Sequence, residues 1–163
     1  DARTLDGNRA IQIVRSRAAE WKLDPNKIGF AGFSAGSYLA RFVAANARAG
    51  DPGGADAVAR VSSKPDYLVL VYGPGRPTPG EKLADFPPSF LLSAAADRGA
   101  AGGTVQLFQE LQKAGAVAEM HIYQKGRHGF GAGNGSPEYS LWMDQLKHFL
   151  VQGGFLPAQG GAK

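Results

Sequence analysis

The sequence predicts an α/β fold, a parallel sheet covered by helices on both faces. Three observations lead there. Four short runs, Ile28–Phe33, Tyr67–Tyr72, Ser89–Ser93 and Ala118–Tyr123, are spread along the 163 residues, each too brief for a helix. The first, Ile28–Phe33, lacks the polar alternation of a strand with one wet face. Amphipathic stretches alternate with them, which implies right-handed crossovers and a three-layer α/β/α sandwich.

The elements follow in order. From Asp6 onward Ile11, Val14, Ala18 and Trp21 recur at helical spacing until Asp24-Pro25 stops the helix. After the strand Ile28–Phe33 a second helix carries the apolar stripe Tyr38, Leu39, Phe42, Val43 and ends near Ala49-Gly50. The strand Tyr67–Tyr72 is bounded by Lys64-Pro65 and Gly73-Pro74. Gly75–Pro88 holds four prolines and no clear periodicity, as expected of a surface loop or lid remnant. Beyond Ser89–Ser93, a helix over about Thr104 to Ala114 buries Leu107, Phe108 and Leu111 and closes on Gly115. In Ala118–Tyr123, Met120 and Ile122 alternate with polar neighbours, which suits a strand nearer the sheet edge. Ser136-Pro137 caps a last helix that buries Trp142, Leu146, Phe149 and Leu150.

Composition narrows the function. A 44% hydrophobic content supports one domain, residues 1–155, followed by a flexible glycine-rich tail over 156–163. The net charge is +4 and no Lys/Arg run is dense enough to follow a phosphate backbone, so nucleic acid is not an expected partner. No apolar run approaches the length of a membrane span, and no basic-then-apolar leader opens the chain. It begins on a polar stretch that leads straight into a helix, as if an upstream part were missing. There is no cysteine, so thiolate chemistry is excluded.

Gly32-Phe33-Ser34-Ala35-Gly36 lies between a buried strand and an amphipathic helix, where a G-x-S-x-G nucleophile elbow belongs. Glycines two residues either side of Ser34 are expected to relieve backbone crowding in a sharp turn. The turn lifts the Ser34 hydroxyl above the carboxyl ends of the strands, and the Ala35 N–H at the helix start is the expected oxyanion donor. Asp97 follows the third strand and His128 the fourth, in the chain order Ser, Asp, His. The residue types fit the chemistry. A serine hydroxyl is a poor nucleophile until an imidazole takes its proton, and the imidazole needs a carboxylate to fix its tautomer. Asp97 could instead form a surface pair with Arg98, but no other acid lies between Asp85 and Glu110.

Other candidates read as scaffold. His121 within a strand and His148 within the last helix are expected to be packing or half-exposed residues, and three histidines this far apart make a poor metal site. Gly126–Gly135 lacks the Lys-Ser/Thr pair of a phosphate loop and serves better as the carrier of His128. Tyr72 and Gly75–Pro88 either line an acyl pocket or simply connect.

Three stretches carry a resemblance: Trp21 through Ser34 to Gly36, Pro88 to Asp97, and His121 through His128 to Gly131. They are similar to the helix, turn and elbow, the acid-bearing strand and the histidine loop of bacterial acetyl-esterase-like α/β-hydrolases, near the dienelactone hydrolase and prolyl-oligopeptidase-like branches. The resemblance runs nearly end to end, with Ala96-Asp97 where the family has a pair of aspartates and a shorter Gly75–Pro88 segment. It implies a serine esterase acting on short acyl esters, acetyl groups on carbohydrate among them, with no cofactor; a peptidase or dienelactone-type hydrolase and a noncatalytic interaction module are the alternatives.

The resemblance also implies four earlier strands and a glycine-rich loop with a second oxyanion donor, so this chain is expected to hold a truncated fold lacking the N-terminal strands. Ile28–Phe33 then becomes an exposed apolar edge, which a second copy or a missing N-terminal segment would cover. Loss of one oxyanion donor costs about 10²–10³ in turnover, which predicts a weak or inactive chain unless a partner supplies the N–H.

Overall fold

The computed structural model describes residues 2–133 and 137–158. Its elements are α1 (Ala2–Ser16), β1 (Gly29–Phe33), α2 (Ala35–Ala45), β2 (Tyr67–Val71), β3 (Ser89–Ala94), α3 (Arg98–Lys113), β4 (Ala118–Tyr123) and α4 (Pro137–Gln152). The described residues fall into two compact units that divide after Gly129, the first with α1 to β4 and the second with α4. Ser136, the expected cap of the last helix, and residues 159–163 of the expected tail lie outside the described residues.

In the first unit the four strands run parallel in the order β1-β2-β3-β4. Each strand is laid beside its predecessor in the same direction, so right-handed crossovers put α2 and α3 on one face. There Ala40 of α2, Leu68 and Leu70 of β2, Leu91 of β3 and Leu107 and Leu111 of α3 form the core, with Phe86 closing one side. Val69, Val71, Phe90 and Leu92, on the opposite face, are buried as well. A central parallel strand buried on both faces gives the continuous apolar runs seen in β2 and β3. Among the described residues β1 and β4 are the edges; Ala31 and Phe33 of β1 are exposed, and every residue of β4 is half-buried.

Several boundaries differ from expectation for identifiable reasons. α1 stops at Ser16, and the chain turns on through Lys22, whose φ of 55° lets the Leu23 N–H donate back to the Ala18 carbonyl. Trp21 is therefore off the buried face, 42% exposed beneath the Arg17 guanidinium. α2 ends at Ala45, where the Asn46 side chain donates to the Phe42 carbonyl. α3 begins six residues before Thr104, at Arg98, because Asp97 caps it and carries its glycine-rich first turns. The 75–88 segment is no loose lid. It contains one 3-10 turn, Leu83–Asp85, and drives Phe86 into the core.

α1 is tied to the sheet through one carboxylate. Asp66 Oδ2 accepts from Arg15 Nη2 at 2.6 Å and from the Ile28 N–H at 2.8 Å. Asp66→Ala would leave both donors short of a partner, so the urea midpoint is expected to fall by the equivalent of about 1–3 kcal/mol with the slope unchanged.

Candidate active site

β1 leads directly into the elbow. The Ser34 N–H still donates to the Val71 carbonyl at 2.9 Å, as a ladder bond, while the Ser34 carbonyl already accepts from Ser37 and Tyr38 at 3.0 and 3.2 Å. Turning strand into helix within one residue puts Ser34 at φ 54°, ψ −120°, a conformation a side-chain-bearing residue adopts only under constraint. A Cβ on Gly32 would sit on the Gly36 carbonyl oxygen and 2.6 Å from the Ser37 nitrogen, so position 32 has room only for glycine. Gly36 differs from expectation. A Cβ there would meet nothing within 4 Å, because it would point away from the strand while the Gly36 backbone itself is what crowds Gly32. The end of β2 presses on the elbow from the other side, where a Cβ on Gly73 would come within 2.7 Å of the Ser34 oxygen.

Ser34, Asp97 and His128 come together. Ser34 Oγ is 2.6 Å from His128 Nε2, and His128 Nδ1 is 2.6 Å from Asp97 Oδ2. With the proton on Nδ1, the ring donates to Asp97 and accepts from the Ser34 hydroxyl. Asp97 follows β3 and His128 follows β4, so all three stand at the carboxyl ends of strands. The Asp97 side chain is mostly buried, whereas that of His128 is 52% exposed. Asp97 serves two ends at once: Oδ2 faces the imidazole, and Oδ1 caps α3 through a long, 3.5 Å bond from the Ala100 N–H.

Tyr72 supports the histidine. Its ring meets the imidazole edge-on, with centroids 5.1 Å apart, and its backbone is held at φ 35° with 4% of the residue exposed. Ser34, Ala35, Tyr38, Tyr72, Gly73 and Gly75 line one part of a cleft of about 330 Å³, and Asp97, Gly99, Ala100 and His128 line the rest. Ala35 opens α2, so its N–H belongs to the first turn, which has no acceptor within the helix, and the residue lines the cleft beside Ser34.

The other histidines are elsewhere. His121 on β4 pairs with Glu119 at 2.7 Å and lies against Phe90; His148 bonds Gln152 within α4. Among the described residues no three His, Cys, Asp or Glu side chains are placed to hold a metal ion.

What the expected stripe of α2 missed is Arg41. The buried positions are Ser37, Ala40, Arg41 and Val43, and Tyr38 turns out to the cleft, 47% exposed. A fully buried arginine between Ala40 and Phe42 had no signal in the sequence, since position 41 falls outside the expected stripe and its partner Glu81 lies 40 residues on in a segment without periodicity.

Known proteins resemble the chain in sequence and in fold. The BD-FAE family model matches residues 1–74. An acetylxylan esterase of Xylanibacter ruminicola is 25% identical over 177 aligned positions, covering 89% of this chain and 34% of that protein. Among solved structures, an acetyl ester-xyloside bifunctional hydrolase from Caldicellulosiruptor lactoaceticus superposes with a TM-score of 0.84 at 29% identity, over 94% of this chain and 66% of that one. A thermophilic esterase from Thermogutta terrifontis, solved with propionate bound, gives a TM-score of 0.75 at 27% identity over 96% and 67%. The chain thus spans about a third of the curated relative and about two thirds of these solved structures.

Proposed function

For a chain that belongs to the α/β-hydrolase superfamily, we propose the activity of a serine carboxylic-ester hydrolase on short acyl esters, acetyl esters of carbohydrate among them. What carries the reading is the hydrogen-bonded line Ser34 Oγ, His128 Nε2, His128 Nδ1, Asp97 Oδ2, with two links of 2.6 Å. The substrate class draws support from relatives described as acetylxylan esterase and acetyl ester-xyloside hydrolase, and from the propionate and butyrate in the Thermogutta structures.

In this mechanism Ser34 Oγ attacks the acyl carbon as its proton passes to His128 Nε2. The carbonyl oxygen gains the negative charge and takes a hydrogen bond from the Ala35 N–H at the positive end of α2. Asp97 holds the Nδ1 proton and stabilises the imidazolium. Collapse breaks the bond to the alcohol, which leaves with the proton from Nε2, and the acyl group stays on Ser34. Water then repeats the sequence, losing a proton to Nε2 and releasing the carboxylic acid.

The test is covalent. A fluorophosphonate probe is expected to add one phosphonyl group to the native chain, on the Ser34 peptide by mass spectrometry, and p-nitrophenyl acetate is expected to turn over while peptide amides do not. A folded chain that takes no label and cleaves no ester would favour the noncatalytic reading; amide turnover at the ester rate would favour the peptidase.

A further inference from the structure

Beneath the cleft lies an ion pair that the chemistry above does not use. The Arg41 side chain is completely buried and that of Glu81 is 7% exposed. Arg41 Nη1 donates to Glu81 Oε1, Nε donates to the Pro74 carbonyl at 2.6 Å, and the guanidinium lies over Phe42 and Tyr38, 4.5 and 5.2 Å from their ring centroids. Thr78 Oγ1 holds the same Glu81 oxygen at 2.5 Å. Arg41 Nη2 and Glu81 Oε2 are buried with no hydrogen-bond partner among the described residues. Burying two charges and leaving an atom of each unsatisfied is a poor way to gain stability. Its structural yield is position.

The positioned object is the floor of the cleft. Pro74 sits between Gly73, which packs on Ser34, and Gly75, which lines the cleft at φ +70°. A Cβ on Gly75 would come within 2.9 Å of the Tyr38 ring and 3.7 Å of Arg41 Nη2, and one on Gly103 of α3 would come within 3.2 Å of the Gly75 carbonyl carbon. One guanidinium therefore holds both the floor, through Pro74, and a wall, through Tyr38. On the esterase reading the alcohol departs beside the half-exposed His128, and the inference places the acyl chain against this floor.

Resting on the esterase reading, we infer that Arg41 and Glu81 are positioning residues that set the depth of the acyl site and restrict it to short chains. The experiment compares kcat/KM for p-nitrophenyl acetate and hexanoate. Arg41→Met combined with Glu81→Leu removes the pair without leaving a lone buried charge, and its melting temperature is expected to stay near the native one. Its acetate-to-hexanoate ratio is expected to fall about tenfold, mainly through the hexanoate KM, as the unpinned floor yields. Gly99→Val, which adds bulk at a cleft position with nothing within 4 Å of its Cβ, is expected to raise the ratio. Leu111→Ala, a core change away from the cleft, controls for stability and should lower the melting temperature with the ratio unmoved. A folded double variant with the native ratio overturns the inference. If the double variant does not fold, Arg41→Lys decides by the same ratio, since lysine cannot reach Pro74, Glu81 and the rings together. A native chain inert to esters and to fluorophosphonate overturns the functional reading and the inference together; an active native chain with unmoved ratios overturns the inference alone.

Discussion

His128→Ala is expected to lower kcat/KM for p-nitrophenyl acetate by about 10⁴–10⁶, with the melting temperature almost unchanged. The side chain is half exposed, so its removal opens no core cavity. Ser34→Ala should cost about as much, and the two together no more than either, because proton acceptor and nucleophile act as one unit. Asp97→Asn separates the roles of that residue. An amide can still cap α3 through its oxygen, but it can no longer hold the Nδ1 proton as a carboxylate does, so turnover falls by about 10⁴ while stability holds. Multiplying losses in the Ser34/His128 double variant would show that the two side chains work independently, and the relay would have to be abandoned.

The second large effect is on folding. Gly32→Ala and Gly36→Ala look equivalent in the motif, but the two glycines stand in different surroundings. At 32 the added methyl meets backbone of the first turn of α2, which cannot yield without displacing the helix. A loss of about 3 kcal/mol or more is expected, together with loss of fluorophosphonate labelling. At 36 the methyl meets open space within a helix, and alanine should be neutral or stabilising by up to about 1 kcal/mol. Urea titration of the two variants decides; equal losses would mean that the elbow is crowded on both sides.

This contrast shows where a sequence is readable. The order of the elements, the parallel strands and the residues at their carboxyl ends could be read because apolar runs, breakers and the Ser-Asp-His order are local signals, each confined to a few neighbouring positions. Ser34, Asp97 and His128 stand out on such local signals alone. What could not be read depended on contacts between distant segments. Arg41 looks like an ordinary helix-surface charge until Glu81 and Pro74 are brought beneath it. The early start of α3 was hidden because Gly99, Gly102 and Gly103 weaken the helical pattern, while the cap and the close approach of Gly103 to Gly75 overcome that weakness. Trp21 continues the helical spacing of α1 but falls past the helix end, where spacing no longer reports burial.

The left-handed backbone at Ser34 sets protein stability against chemistry at a single position. A serine at φ 54° holds about 1–3 kcal/mol of strain that a glycine would not feel. Ser34→Gly should therefore melt higher than the native chain while losing its nucleophile. On the esterase reading, robustness gained at this position is turnover given up.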